Sequence, residues 1–126
     1  MITMALLVGI WTTACIQTQM SHSAGYVKES YSINIQGDFE FKREWFKDFS
    51  CTEPDGTDTE TGTVELGEKI SSFFMPGETY EADFNTQKGV DLGAISIKQD
   101  HLKIARGVKN SSIRNTMLSL FEYKKN

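Results

Sequence analysis

Tyr26-Val27-Lys28-Glu29-Ser30-Tyr31-Ser32-Ile33-Asn34-Ile35 alternates apolar and polar side chains with a period of two. Val27, Tyr31, Ile33 and Ile35 share one face, and Lys28, Ser32 and Asn34 share the other. A strand with one buried face has this pattern, and a helix does not. Gln36-Gly37-Asp38 then reads as a tight reversal. The alternation resumes over residues 39–51, with Phe39, Phe41, Trp45, Phe49 and Cys51 on one face and Glu40, Lys42, Glu44 and Asp48 opposite. Arg43 and Lys47 interrupt the apolar face, and Phe46 interrupts the polar one.

The same period extends outward in both directions. A first strand is expected over 6–16. Beyond the hairpin come an acidic loop over 52–61, strands over 62–66 and 69–75 about a Gly67-Glu68 turn, and a strand over 79–84 after Pro76-Gly77. A polar loop at 86–91 precedes a hairpin of 92–98 and 102–106 about Gln99-Asp100, and a last strand covers 113–123. Helical periodicity is nearly absent. Eight or nine strands joined by short turns must leave two open edges or close on themselves, and closure removes the edges. The expected fold is therefore all-β, an antiparallel up-and-down barrel forming a single domain over 1–126, with a two-sheet sandwich as the alternative. A barrel of about eight strands encloses packed side chains or one small ligand.

Composition fits this reading. The chain has 126 residues, 39% of them hydrophobic, with eight Phe, four Tyr and two Trp. It is too apolar for a disordered chain and too interrupted for a membrane-spanning one. A net charge of −4 and a pI near 5.1 argue against nucleic acid as a partner, because phosphate binding needs a basic face. The apolar run before Cys15 imitates a signal peptide ending in a lipid-attachment cysteine. No Lys or Arg precedes it, however, and Trp11 with its neighbouring threonines suits a strand. The signal peptide of an exported protein would then lie outside this sequence. Cys15 and Cys51 form no CxxC motif. They are compatible with one disulfide worth about 3–4 kcal/mol in loop entropy, or with two buried thiols in a cytosolic protein.

Signals for chemistry are sparse. Asp55, Asp58 and Glu60 crowd one acidic segment but lack calcium-loop spacing, so a solvated loop is the expectation. His22 and His101 are too few for a zinc site once the cysteines are set aside. Neither histidine sits in a recognisable nucleophile arrangement, and there is no Gly-rich phosphate loop. No metal, cofactor or catalytic residue is expected, and the chain reads as a non-enzyme.

Gly9-Ile10-Trp11 resembles the G-x-W signature on the first strand of lipocalin and calycin barrels. Arg114, ahead of the closing residues 118–124, resembles the basic residue of their last strand. The resemblance implies that Arg114 stacks on the Trp11 indole, a cation–π contact of about 0.5–2 kcal/mol. A set of small bacterial secreted proteins is more similar still. Their G-x-W-x-x-x-C, D-x-x-C-T and G-T-x-x-L-G motifs match Gly9 to Cys15, Asp48 to Thr52 and Gly62 to Gly67. That likeness implies a Cys15–Cys51 disulfide, a lipocalin-like barrel and a periplasmic or extracellular location. The chain departs from the fatty-acid-binding branch, since Phe121 stands where its Arg-x-Tyr would begin.

Many aromatic residues share the inferred inward face, either as a filled core or as the lining of a pocket. Arg43 on that face wants a carboxylate or an anionic ligand. The expected function is a non-catalytic binding protein for a small apolar or amphipathic ligand, held by Tyr31, Phe41, Arg43, Trp45 and Tyr80. The alternative is a protein-interaction module, such as an inhibitor of a secreted hydrolase, with Phe46, Phe73 and Met75 as a contact patch.

Overall fold

Nine strands in one antiparallel sheet account for most of the chain in the computed structural model, which describes residues 4–20, 23–70, 77–108 and 122–126. They are β1 (Gly9–Thr12), β2 (Ile16–Met20), β3 (Ser23–Ile33), β4 (Asp38–Phe46), β5 (Pro54–Ile70), β6 (Glu78–Thr86), β7 (Gly89–Lys98), β8 (His101–Val108) and β9 (Glu122–Lys125). From β3 to β9 each strand pairs with the next in sequence. β9 then pairs with β1, and β1 with β3, so eight strands close a barrel and β2 is one extra strand. Among the described residues no helix is long and apolar enough to cross a membrane.

The expected first strand proves to be two. β1 and β2 run in line along the same edge of β3, with Thr12 opposite Ser30 and Ile16 opposite Val27. The register slips by one residue between them, as at a β-bulge. Thr13 bridges the slip: its N–H donates to Glu29 O at 2.9 Å, and its hydroxyl accepts from Glu29 N at 3.0 Å. Cys15, between β1 and β2, and Cys51, between β4 and β5, form a disulfide across a sequence separation of 36.

At the opposite end a single 3-10 turn, Met4–Leu6, leads Leu7 into the barrel floor. Trp11 Nε1 donates to Leu7 O at 2.9 Å, and Lys125 Nζ lies 5.7 Å from the Trp11 ring centroid. Gly9 is required here. Its φ is +139°, and a Cβ would come within 2.9 Å of Lys125 Cε. Arg114, expected on the indole, lies outside the described residues.

Three expectations are corrected. The reversal after β3 is built on Asn34, whose Oδ1 accepts from Gln36 N and Asp38 N, so Ile35 sits in the turn at 56% exposure. The acidic 52–61 segment is mostly strand, because Thr57, Thr59 and Thr61 tolerate the pleat and Asp58 stands opposite Arg43. The Gly67-Glu68 turn is only a register shift within β5, with pairing to β6 resuming at Lys69. The last strand is described from Glu122 onward; the remainder of 113–123, with Phe73, Phe74, Met75 and His22, lies outside the described residues.

Between β4 and β5 the alternation ends, which reverses two side chains. Phe46 is buried between Tyr26 and Pro54 on its neighbouring strands, and Phe49 is 77% exposed. The Asp48 carboxylate holds this turn, accepting from Thr52 N and Glu53 N at 2.9 Å and from Thr52 Oγ1 at 2.5 Å. The Thr52 hydroxyl and then the two amides stabilise the charged form and hold Asp48 down at about 2, against an ordinary 3.8. A carboxyl lowered in the fold stabilises it above the unfolded value and stops doing so as pH falls through the folded value. Protection of the Thr52 and Glu53 amides should therefore persist at pH 3 and disappear around pH 2. A midpoint near 3.8, or an unchanged profile in Asp48→Asn, would contradict this account.

Candidate functional site

Alternation sends one side chain in two toward the barrel axis. From the floor, Leu7, Trp11, Ile33, Val64, Ala82, Ile95 and Leu102 build an apolar layer. Above it Tyr31 lies among rings, 4.8 Å from Phe41, 5.3 Å from Tyr123 and 5.9 Å from Phe39. Phe84 packs edge-on against Phe39 at 5.8 Å.

Charge begins directly above the rings. Glu29, on the same β3 face as Val27, Tyr31 and Ile33, is only 3% exposed. Its Oε2 accepts from Arg43 Nε at 2.7 Å and Nη2 at 2.6 Å, and its Oε1 accepts from Tyr123 OH at 2.6 Å. Arg43 stands opposite Glu29 in the β3–β4 register, so the strand pairing itself sets the contact. The Arg43 guanidinium also faces Phe41 and Trp45, at 5.6 and 5.8 Å from their centroids. Trp45 Nε1 donates to Asp58 Oδ2 at 3.1 Å.

A second cation lies across the barrel. Arg106 donates to Tyr31 OH at 3.2 Å and to Asp91 Oδ2 at 2.7 Å, and it pairs with Glu60 Oε1 at 2.9 Å. Its guanidinium carbon sits 4.6 Å from the Phe84 centroid. Burial alone would lower the Arg106 pKa, but Tyr31, Asp91 and Glu60 raise it above the usual value and keep the group charged. Burial pushes the Tyr31 hydroxyl up to about 12 while Arg106 pulls it the other way. Tyr123 is raised too, first by burial and then by the neighbouring Tyr31 and Glu29. Both tyrosines are therefore neutral at ordinary pH, Tyr31 OH accepting from Arg106 and Tyr123 OH donating to Glu29, and both Glu29 oxygens are already occupied.

Tyr31, Phe41, Arg43 and Trp45, singled out from the sequence, thus come together. Tyr80 does not join them: it lies on β6, where its hydroxyl donates to Glu78 Oε2 at 2.7 Å. The carboxylate that Arg43 required turns out to be Glu29 of the same chain, so no anionic ligand is needed to balance it. Glu29, Asp58, Glu60, Asp91 and Arg106 were not singled out for this site. Position parity could have found two of them, since Glu29 interrupts the apolar face of β3 and Arg106 follows Leu102 and Ile104 on β8. Asp58 and Glu60 were hidden by reading their segment as a loop. Among the described residues no group of three or more His, Cys, Asp or Glu side chains is placed to hold a metal ion.

No family model matches the chain, and neither a curated protein nor a solved structure matches it.

Proposed function

We propose that the protein is a non-catalytic, lipocalin-like binding protein of the periplasm or cell exterior, taking a small amphipathic ligand at the barrel end framed by Phe41, Arg43 and Trp45. The observation that carries this reading is Arg43, one-third exposed, laid between two aromatic rings with its charge answered by buried Glu29. That arrangement leaves aromatic surface at the rim for the ligand's apolar part. The rim's fixed charges favour a cationic or neutral head, because Glu29, Asp58, Glu60 and Asp91 outnumber Arg43 and Arg106. The disulfide fits an oxidising compartment.

Native mass spectrometry of protein recovered from its own host should show a co-purified small molecule. Quenching of Trp45 fluorescence, isolated by comparison with Trp45→Phe, should rank dodecyltrimethylammonium above dodecanol and dodecanoate. Replacing Asp58 and Glu60 together by Asn and Gln should weaken the cationic probe about tenfold, the loss of roughly one charge-assisted contact. A bare mass with no saturable quenching by any probe would overturn the reading.

One observation favours a protein-interaction module instead. Phe49 stands 77% exposed on a turn fixed by Asp48 and by the disulfide, and preorganised loops lose little entropy on docking. On that reading the protein inhibits a secreted hydrolase, and Phe49→Ser abolishes inhibition without altering Trp45 quenching.

A further inference from the structure

The outer wall of the barrel carries a second concavity, unrelated to the rim. Ser96 and Lys98 at the end of β7, Gln99 in the turn that follows, His101 and Lys103 on β8, and Glu122 on β9 line a cavity of about 400 Å³. Register explains the grouping. Ile95, Ile97, Leu102, Ile104 and Tyr123 point into the core, so the intervening residues face outward, with Ser96 opposite Lys103 and Lys103 opposite Glu122.

Two features of this cavity lack an explanation in the fold. Ser96 is only 2% exposed, yet its hydroxyl has no hydrogen-bond partner among the described residues. A buried hydroxyl left unpaired costs stability. Lys98 and Lys103 both flank the cavity, and neither has a carboxylate partner among the described residues. The nearby carboxylate, Glu122, lies 2.8 Å from His101 Nδ1, an ion pair when the imidazole is protonated. What remains for a ligand is a set of donors: one enclosed hydroxyl and two ammonium groups, with the Gln99 amide at the lip.

We propose that this cavity is a binding site for a small organic oxyanion, a phosphate or carboxylate ester-sized molecule seated on the Ser96 hydroxyl between Lys98 and Lys103. Its volume lies within the range of small-molecule pockets and exceeds what a lone inorganic ion would fill. Charge-assisted donors of this kind bind such groups strongly. Ser96 contributes direction, since its hydroxyl is held in the floor while the lysines adapt. The site does not depend on the ligand proposed for the rim.

The test uses the full, oxidised chain and amide resonances in the 96–103 hairpin. Phenyl phosphate and benzoate are titrated alongside benzyl alcohol, a neutral molecule of similar shape. At least one anion should shift the hairpin amides saturably while benzyl alcohol does not, and the stronger of the two assigns the anionic group. Lys98→Met and Lys103→Met, both at the surface, should each weaken binding about tenfold, the usual weight of a charge-assisted contact. Ser96→Ala should weaken it several-fold with an unchanged or raised melting temperature, because it removes a hydroxyl that has no partner among the described residues. A merely structural serine would instead lower the melting temperature and leave affinity intact, which would overturn the role given to Ser96. Hairpin shifts equal for benzyl alcohol, no shifts at all, or full affinity in the double lysine variant would overturn the site.

Discussion

Arg43→Met is expected to lower stability by about 3 kcal/mol, more than Glu29→Gln at the same pair. The asymmetry follows from burial. Glu29 is 3% exposed, whereas the Arg43 side chain is 34% exposed and can hydrate when its partner is lost. Removing the arginine leaves a carboxylate in the interior with only Tyr123 OH for company. Ion pairs cut in half cost about 3–5 kcal/mol, and partial solvation of the rim places this one at the lower end. The double variant Glu29→Gln, Arg43→Met should recover most of the loss, since no buried charge then remains unpaired. Urea unfolding of the four proteins decides the matter. Equal losses for the two single variants, or additivity in the double, would show that Glu29 is not confined as described.

Trp11→Ala is expected to cost about 3–5 kcal/mol, as large-to-small changes at fully enclosed aromatic positions do. Trp11 is 1% exposed in the floor layer beside Leu7. Trp11→Phe separates its two contributions. It keeps most of the volume but leaves Leu7 O without its indole donor, so about 1–3 kcal/mol should be lost. Lys125→Met should change stability by no more than about 1 kcal/mol, because an exposed cation over a ring contributes little. A Trp11→Phe variant as stable as the parent would mean that the Leu7 contact does not hold the 3-10 turn against the barrel floor. Thermal unfolding with a probe at Met4 or Leu7 would show that turn loosening first if the contact does matter.

Legibility divided along a physical line. Strand identity is a local property: period-two alternation from Val27 to Ile33 and from Phe39 to Phe41 places one face in the core whatever the strand later pairs with. The chain of alternating segments and short turns therefore announced an antiparallel barrel, and the motifs around Cys15 and Cys51 implied the bond that joins them. The same local rule failed where neighbours outweigh propensity. Residues 54–61 look like a solvated loop, but β4 provides them with a pairing edge and an arginine. Phe49 continues the alternation in sequence, yet the strand ends at Phe46, and past that point parity no longer predicts direction.

The candidate sites sharpen the contrast. Arg43 was visible as an intrusion on an apolar face, and its need for a counter-charge followed from the cost of burying a cation. Its partner, Glu29, is 14 residues away, and only the β3–β4 register brings the two carboxylate and guanidinium groups face to face. Arg106 reaches Tyr31 across 75 residues, and Tyr123 reaches Glu29 across 94. Ser96, Lys98, His101, Lys103 and Glu122 form one cavity because three neighbouring strands turn alternate residues outward at matching heights. Side-chain periodicity is written along the chain, and so the all-β class can be read from it. Cross-strand register and barrel closure are set by pairing over long separations, and these decide which charges meet.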